Sequence, residues 1–203
     1  MSETRHDPVR IGLVSISDRA SQGVYEDKGI PALREWFAAA LTSPWQLETR
    51  LIPDDQATIE RTLIELVDEA GCHLVLTTGG TGPAPRDVTP EALEPLFEKR
   101  MDGFSVLFHH ISIPKIGTST IQSRATAGVA GATYIFCLPG SPGACKDAWD
   151  GILASQLDYR HRPCNFVEIL PRLDEHAPHL RRLVSAAHPA LDPDVGPSAR
   201  RRA

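Results

Sequence analysis

Four short apolar runs rich in branched residues recur along the chain, each followed by a polar or glycine-containing break and then by apolar residues at helical spacing. Residues 9–16 (Val-Arg-Ile-Gly-Leu-Val-Ser-Ile) read as a buried strand, and a polar loop runs from Ser17 to Gly29. Pro31 then stands at the first position of a helix with Leu33, Trp36, Phe37, Ala40 and Leu41 inward. Leu47, Thr49 and Leu51 alternate with polar residues as a second strand, and after Asp54-Asp55 a second helix carries Ile59, Leu63, Leu66, Val67 and Ala70 on one face. Residues 73–78 form a third strand, broken by Gly79-Gly80-Thr81-Gly82-Pro83. Thr89-Pro90-Glu91 then supplies a cap, a first position and an acidic first turn for a helix to about Arg100. Residues 133–138 form the fourth strand, followed by Pro139-Gly140-Ser141-Pro142-Gly143 and a helix with Trp149, Ile152, Leu153 and Leu157 inward. Between the third and fourth units, residues 104–127 read as two short helices interrupted at Pro114 and Gly117.

Strands that alternate with helices predict a mostly parallel sheet covered on both faces, because parallel neighbours need crossover connections. The fold class is α/β, a three-layer α/β/α arrangement. A chain of 203 residues, 41% hydrophobic and 23% charged, is enough for one domain with a normal core, expected over residues 1–176. From Ala177 to Ala203 Pro, Ala, His and Arg recur without a usable period, which predicts a mobile tail.

Charge and cysteine usage narrow the function classes. The net charge is −5, and residues 177–203 hold five arginines against two aspartates, leaving 16 basic and 24 acidic residues before them. An acidic domain disfavours a nucleic-acid surface. No apolar run approaches the roughly 18 residues of a membrane span, and the N-terminus has no apolar signal core, so a soluble, cytoplasmic protein is expected. Cys72, Cys137, Cys145 and Cys164 contain no C-x-x-C pair and read as reduced, mostly buried thiols.

In an open α/β sheet, ligands bind beyond the carboxyl ends of the strands. Ser17-Asp18, Asp54, the Gly79–Gly82 loop with Asp87, and residues 139–143 all fall on that rim. Two glycine-rich turns there suit phosphate, since backbone N–H groups can converge without side-chain obstruction; tight turns alone are the competing explanation. There is no P-loop motif, and Gly80-Thr81-Gly82-Pro83-Ala84-Pro85 lacks the last glycine of a dinucleotide fingerprint. Asp54 and Asp87 read either as a pair holding Mg²⁺ with phosphate oxygens or as helix caps, and spacing does not decide between them. His109-His110 has no third ligand at metal spacing, and Ser141 lacks the flanks of a hydrolase nucleophile. Ser112, Ser123 and Arg124 offer hydroxyls and a guanidinium to an anion, or serve as turn residues.

Four stretches together resemble molybdopterin adenylyltransferases of the MogA/MoaB type: residues 15–21 with the loop to Gly29, Leu51-Ile-Pro-Asp-Asp, Leu76-Thr-Thr-Gly-Gly-Thr-Gly-Pro and Arg86-Asp-Val-Thr-Pro-Glu-Ala, with Leu138-Pro-Gly-Ser-Pro-Gly beyond them. The resemblance runs from about residue 9 to 170 and implies a Mg²⁺-dependent reaction of the molybdopterin phosphate with the α-phosphate of ATP. Adenylylated molybdopterin and pyrophosphate would result, the former passing to a molybdenum insertase. It implies Asp54 and Asp87 for metal binding and catalysis, Ser17, Gly79, Gly80, Thr81, Gly82, Gly140 and Ser141 for nucleotide, and Ser112, Ser123 and Arg124 for the pterin phosphate. It also implies a homotrimer, or a hexamer built from trimers. The first half is MogA-like, whereas residues 116–125 and Arg162-Pro-Cys-Asn-Phe are MoaB-like. The alternatives are therefore a non-catalytic MoaB-like pterin-binding protein and a nucleotide pyrophosphatase of the competence-damage type.

Overall fold

The computed structural model describes residues 8–41, 44–173 and 175. Six strands form one sheet in the order β2-β1-β3-β6-β5-β4. The strands are β1 (Val9–Ile16), β2 (Trp45–Ile52), β3 (Leu74–Thr78), β4 (Lys99–Arg100), β5 (Thr126–Ala130) and β6 (Thr133–Leu138). Strands β2, β1, β3 and β6 are parallel in the predicted way. Strand β5 returns antiparallel to β6, and β4 pairs antiparallel with β5.

The central strands are buried on both faces, which is why their sequences read as continuous apolar runs. Ile11, Leu13, Leu76, Tyr134 and Phe136 point to one side, where helices α2 (Gly29–Ala40), α5 (Asp102–Ile116) and α6 (Pro142–Ala148) contribute Leu33, Phe37, Phe104, Phe108 and Cys145. Val14, Ile16, Val75, Ile135 and Cys137 point to the other, where α3 (Gln56–Ile64) and α4 (Thr89–Leu93) contribute Ile59, Leu63, Ala92 and Leu93. Both helical layers of the predicted three-layer arrangement are thus present. A one-turn helix α1 (Asp18–Ser21) interrupts the first long loop, α3 continues as a π-turn over Glu65–Glu69, and α6 continues through Trp149–Leu153 into α7 (Ala154–Gln156). A further helix, α8 (Phe166–Leu173), packs Phe166 against Tyr134.

Three local expectations are corrected. The helix starting near Thr89 ends at Leu96 after a 3-10 turn, and Lys99-Arg100 is an edge strand; Pro95 removes an N–H where the helix would tighten. Residues 102–116 are one helix, because Pro114 lies in its last turn and Gly117, at φ +59°, ends it; a 3-10 turn over Gly117–Gln122 follows. Thr126–Ala130 is a strand hidden by its small residues: Gly128 is needed because a Cβ there would lie 2.4 Å from the Phe97 ring. All four cysteines are free, three of them buried and Cys164 exposed. The expected boundary at residue 176 and the tail from 177 onward lie outside the described residues.

Candidate active site

The parallel strands end on one rim, where a cleft of about 790 Å³ opens between the loops after β1, β3 and β6, with Asp54 and Asp87 in its wall. Its floor is backbone. Gly79 has φ +109°, and a Cβ there would stand 2.1 Å from the Ile16 carbonyl oxygen, so only glycine fits between β1 and β3. The Gly79 N–H donates to the Leu138 carbonyl (3.1 Å), and a Cβ at Gly140 would stand 3.2 Å from the Gly79 Cα. The two glycine-rich turns therefore touch, which explains why both are glycine-rich.

The neighbouring acids Asp54 and Asp55 have different partners. Asp55 caps α3, its carboxylate accepting from the Thr58 N–H (2.9 Å) and hydroxyl (2.6 Å), and these bonds hold it below the usual carboxylate range. Asp54 makes no cap. Its Oδ2 accepts from the Asp18 N–H (2.8 Å), while Oδ1 lies 3.0 Å from the position of a Gly80 Cβ. Burial pushes the Asp54 carboxyl above its ordinary value, the negative charges of Asp18 and Asp87 add to this, and the Asp18 N–H and Arg86 oppose it. Asp87 makes no helix cap either: its Oδ2 accepts from the Ala84 N–H (3.0 Å) and faces Gly82, where a Cβ would stand 2.6 Å away.

The cap of α4 is Val88 rather than Thr89, whose hydroxyl is buried without a hydrogen-bond partner among the described residues. That hydroxyl lies 2.2 Å from where a Gly80 Cβ would be, beside Asp54 Oδ1. Among the described residues no three His, Cys, Asp or Glu side chains converge as a closed metal site. The donor set is two carboxylates beside an open backbone turn, which suits Mg²⁺, an ion that takes one or two carboxylates and fills its shell with phosphate oxygens and water.

The cleft gathers Ser17, Gly79, Gly80, Gly140, Asp54 and Asp87 from the expected set. Ser17 Oγ lies 2.9 Å from the Tyr25 hydroxyl. Thr81 is buried behind the turn, Gly82 stands beside Asp87, and Ser141 caps α6 by accepting from the Ala144 N–H (3.3 Å). Arg124 braces the outside of the loop, donating to the Gly82 carbonyl (3.1 Å) and the Asp87 carbonyl (2.6 Å) and pairing with Glu91. Ser112 is buried within α5, and Ser123 turns away from the cleft, its carbonyl oxygen 3.2 Å from His109 Nε2 and its hydroxyl accepting from the Ala125 N–H (3.4 Å). These last residues are not brought to the cleft.

Sequence reasoning passed over Asp27, and it placed Asp18 on the rim and Arg86 in a motif without giving either a role. Asp27 accepts from Ser15 Oγ (2.6 Å) and the Ile30 N–H (3.0 Å), fixing the loop before α2. An acid three residues before an apolar helical position was the available signal. Arg86 binds both Asp18 oxygens at 2.7–2.9 Å, a pairing across 68 residues that no local pattern shows.

The chain matches the family described as a probable molybdopterin binding domain over residues 12–159. It is 57% identical over 144 residues to a molybdopterin adenylyltransferase of Escherichia coli (strain K12), covering 71% of this chain and 73% of that protein. It is 40% identical over 163 residues to molybdenum cofactor biosynthesis protein B of the same strain, covering 80% and 94%. The structure resembles that of a tungsten cofactor synthesizing protein MoaB from Pyrococcus furiosus, with a TM-score of 0.70 at 30% identity, covering 84% of this chain and 99% of that one.

Proposed function

The chain belongs to the molybdopterin-binding family of molybdenum cofactor biosynthesis, and from that membership and the geometry of the rim we propose that it adenylylates molybdopterin with Mg-ATP. The observation that carries the active-enzyme reading is that neither Asp54 nor Asp87 caps the helix that follows it, while both carboxylates are turned toward the glycine-rich turns. Burial and two acidic neighbours raise the Asp54 carboxyl beside the glycine-rich turn, the kind of perturbation that gathers at functional sites.

In the reaction, an oxygen of the pterin's terminal phosphate forms a bond to the α-phosphorus of ATP. The bond from that phosphorus to the bridging oxygen breaks, and pyrophosphate leaves with the electron pair. Bound Mg²⁺ supplies neutralisation of phosphate charge. Asp54 and Asp87 are the residues to hold it, and Gly79, Gly80 and Gly140 let the phosphates approach the backbone closely. Without a cation, the acidic rim would repel a triphosphate.

Ser17 and the glycines are assigned to nucleotide, with Thr81, Gly82 and Ser141 shaping the turns around it. Arg124, tied to two carbonyls of the loop, is assigned a bracing role there, and Ser112 and Ser123 stand away from the cleft. Helix α5 and the turn after it leave Val106, Leu107, Ile113, Ile116 and Ile121 exposed, with Ile121 81% accessible. A stripe of that kind supports self-association, and we assign it to the homotrimer. No helix among the described residues is long and apolar enough to cross a membrane. The product is passed to an insertase.

The test is formation of adenylylated molybdopterin and pyrophosphate from purified protein, Mg-ATP and fresh molybdopterin, with and without chelator. Both products, lost on chelation, are the expected result. Pterin binding without turnover would replace this reading by the non-catalytic one, and nucleotide hydrolysis without pterin by the pyrophosphatase.

A further inference from the structure

Asp18 has no part in the reading above, yet it is bonded to Asp54 from both ends. Its N–H donates to Asp54 Oδ2 (2.8 Å), and its own Oδ1 accepts from the Asp54 N–H (3.1 Å). This reciprocal pair joins the loop after β1 to the loop after β2. Arg86 closes the other side, Nε donating to Asp18 Oδ2 (2.9 Å) and Nη2 reaching Oδ1 (2.8 Å) and Oδ2 (2.7 Å). Two carboxylates held this near repel, and the planar guanidinium offsets the charge while matching both oxygens of one of them.

The contacts decide which oxygens remain for a ligand. Both oxygens of Asp18 are engaged by Arg86, and one also by the Asp54 N–H. Asp54 has Oδ2 engaged and Oδ1 turned toward Gly80. A third acid therefore stands beside Asp54, outside the residues that line the cleft, and is tied there by Arg86.

We propose that Asp18 is a positioning residue for Asp54, and that Arg86 is the counter-ion that keeps Asp18 out of the metal site, so the rim presents two carboxylates and holds a divalent cation well only together with nucleotide phosphates. This rests on the assignment of Asp54 and Asp87 as the metal-binding pair. The two partners have opposite effects on a bare cation. Loss of Arg86 releases Asp18 as a third carboxylate, so nucleotide-free affinity rises. Loss of the Asp18 charge leaves the guanidinium unpaired beside Asp54 and Asp87, so affinity falls. A pair with only a structural role gives the same sign for both losses, because either one loosens the same two loops.

The experiment is Mn²⁺ binding by electron paramagnetic resonance, with and without ATP, on the full chain and its Asp18→Asn, Arg86→Gln, Arg86→Lys and Asp54→Asn variants, with thermal melting of each. Asp18→Asn keeps an oxygen to accept from the Asp54 N–H, so the fold is retained while the charge is removed. Without ATP, Arg86→Gln is expected to bind Mn²⁺ about tenfold tighter and Asp18→Asn about tenfold weaker, the scale of changes beside metal ligands. Arg86→Lys stays closer to the parent than Arg86→Gln. Both charge-removing variants lose turnover with Mg-ATP. Shifts of the same sign in Asp18→Asn and Arg86→Gln, or no shift in either, overturn the proposal while leaving the metal pair in place, provided Asp54→Asn has lost Mn²⁺. If Asp54→Asn binds Mn²⁺ like the parent, the assignment of the pair fails and the proposal falls with it.

Discussion

A single methyl group at Gly82 separates the chemistry of the rim from its folding. An alanine Cβ would stand 2.6 Å from Asp87 Oδ2, so the carboxylate must withdraw by about 0.4 Å to reach even 3.0 Å, and by about 0.8 Å for ordinary contact. Gly82 has no left-handed φ, so the backbone accepts alanine without strain. The stiffer unfolded chain stabilises by roughly 0.4–1 kcal/mol. Displacing Asp87 weakens its bond from the Ala84 N–H (3.0 Å), which costs about 1 kcal/mol. The two effects nearly cancel, and at about 2–4 °C per kcal/mol for a domain of this size the melting temperature should move by less than about 3 °C. If Asp87 holds the metal as proposed, its displacement by most of an ångström costs on the order of 10²-fold in rate. Gly82→Ala should therefore melt like the parent and lose roughly 10- to 100-fold in kcat, measured as pyrophosphate release at saturating Mg-ATP. Full activity in a folded variant would show that the position of the Asp87 carboxylate does not matter. Gly79→Ala is the contrast: its Cβ meets the Ile16 carbonyl at 2.1 Å with φ +109°, so folding itself should suffer, by about 3 kcal/mol or more.

The raised Asp54 carboxyl costs stability wherever the group is charged, so above its folded pKa Asp54→Asn should melt slightly higher, by less than about 1 kcal/mol after solvent screening, while losing turnover. As pH falls through that raised pKa the parent's carboxyl becomes neutral in the folded protein, and the difference in melting should shrink and reach zero below the ordinary value of 3.8, which differential scanning fluorimetry across pH can follow. Asp55 has the opposite sign: its lowered carboxyl contributes stability above its ordinary value of 3.8 that is lost as pH falls through the folded pKa. Asp55→Ala should cost about 1 kcal/mol of stability in thermal melts and leave kcat unchanged. Ile113→Asp on the exposed stripe of α5 should lower the mass measured by sedimentation without lowering helix content by circular dichroism.

The strand–helix alternation was legible because the central strands are buried on both faces, so each declares itself by an apolar run that needs no partner to be recognised. The weak edge was not. Lys99-Arg100 and Thr126–Ala130 hold no run of large apolar residues; they are strands because β6 offers an unpaired edge and Phe97 fills the space left by Gly128. Pro114 looked like a break because the pattern does not say how far it stands from the helix end. In the last turn, with Gly117 beyond it, the proline costs little.

The candidate site divides along the same line, between what one loop carries and what two loops make together. Glycine-rich turns and the acids beside them are local features, and topology alone brings them to one rim. Asp54 and Asp55 show the limit: adjacent, identical in chemistry and both before a helix, they are not distinguishable from sequence spacing. The difference is made by partners far along the chain. Asp55 finds Thr58 three residues on, whereas Asp54 meets Asp18 across 36 residues and Gly80 on a third loop. Its carboxyl is raised by burial and by two acids that are remote in sequence. A ligand assignment for an acid of this kind rests on the tertiary contacts that leave one oxygen unspent, and Asp54 Oδ1 beside Gly80 is that oxygen here.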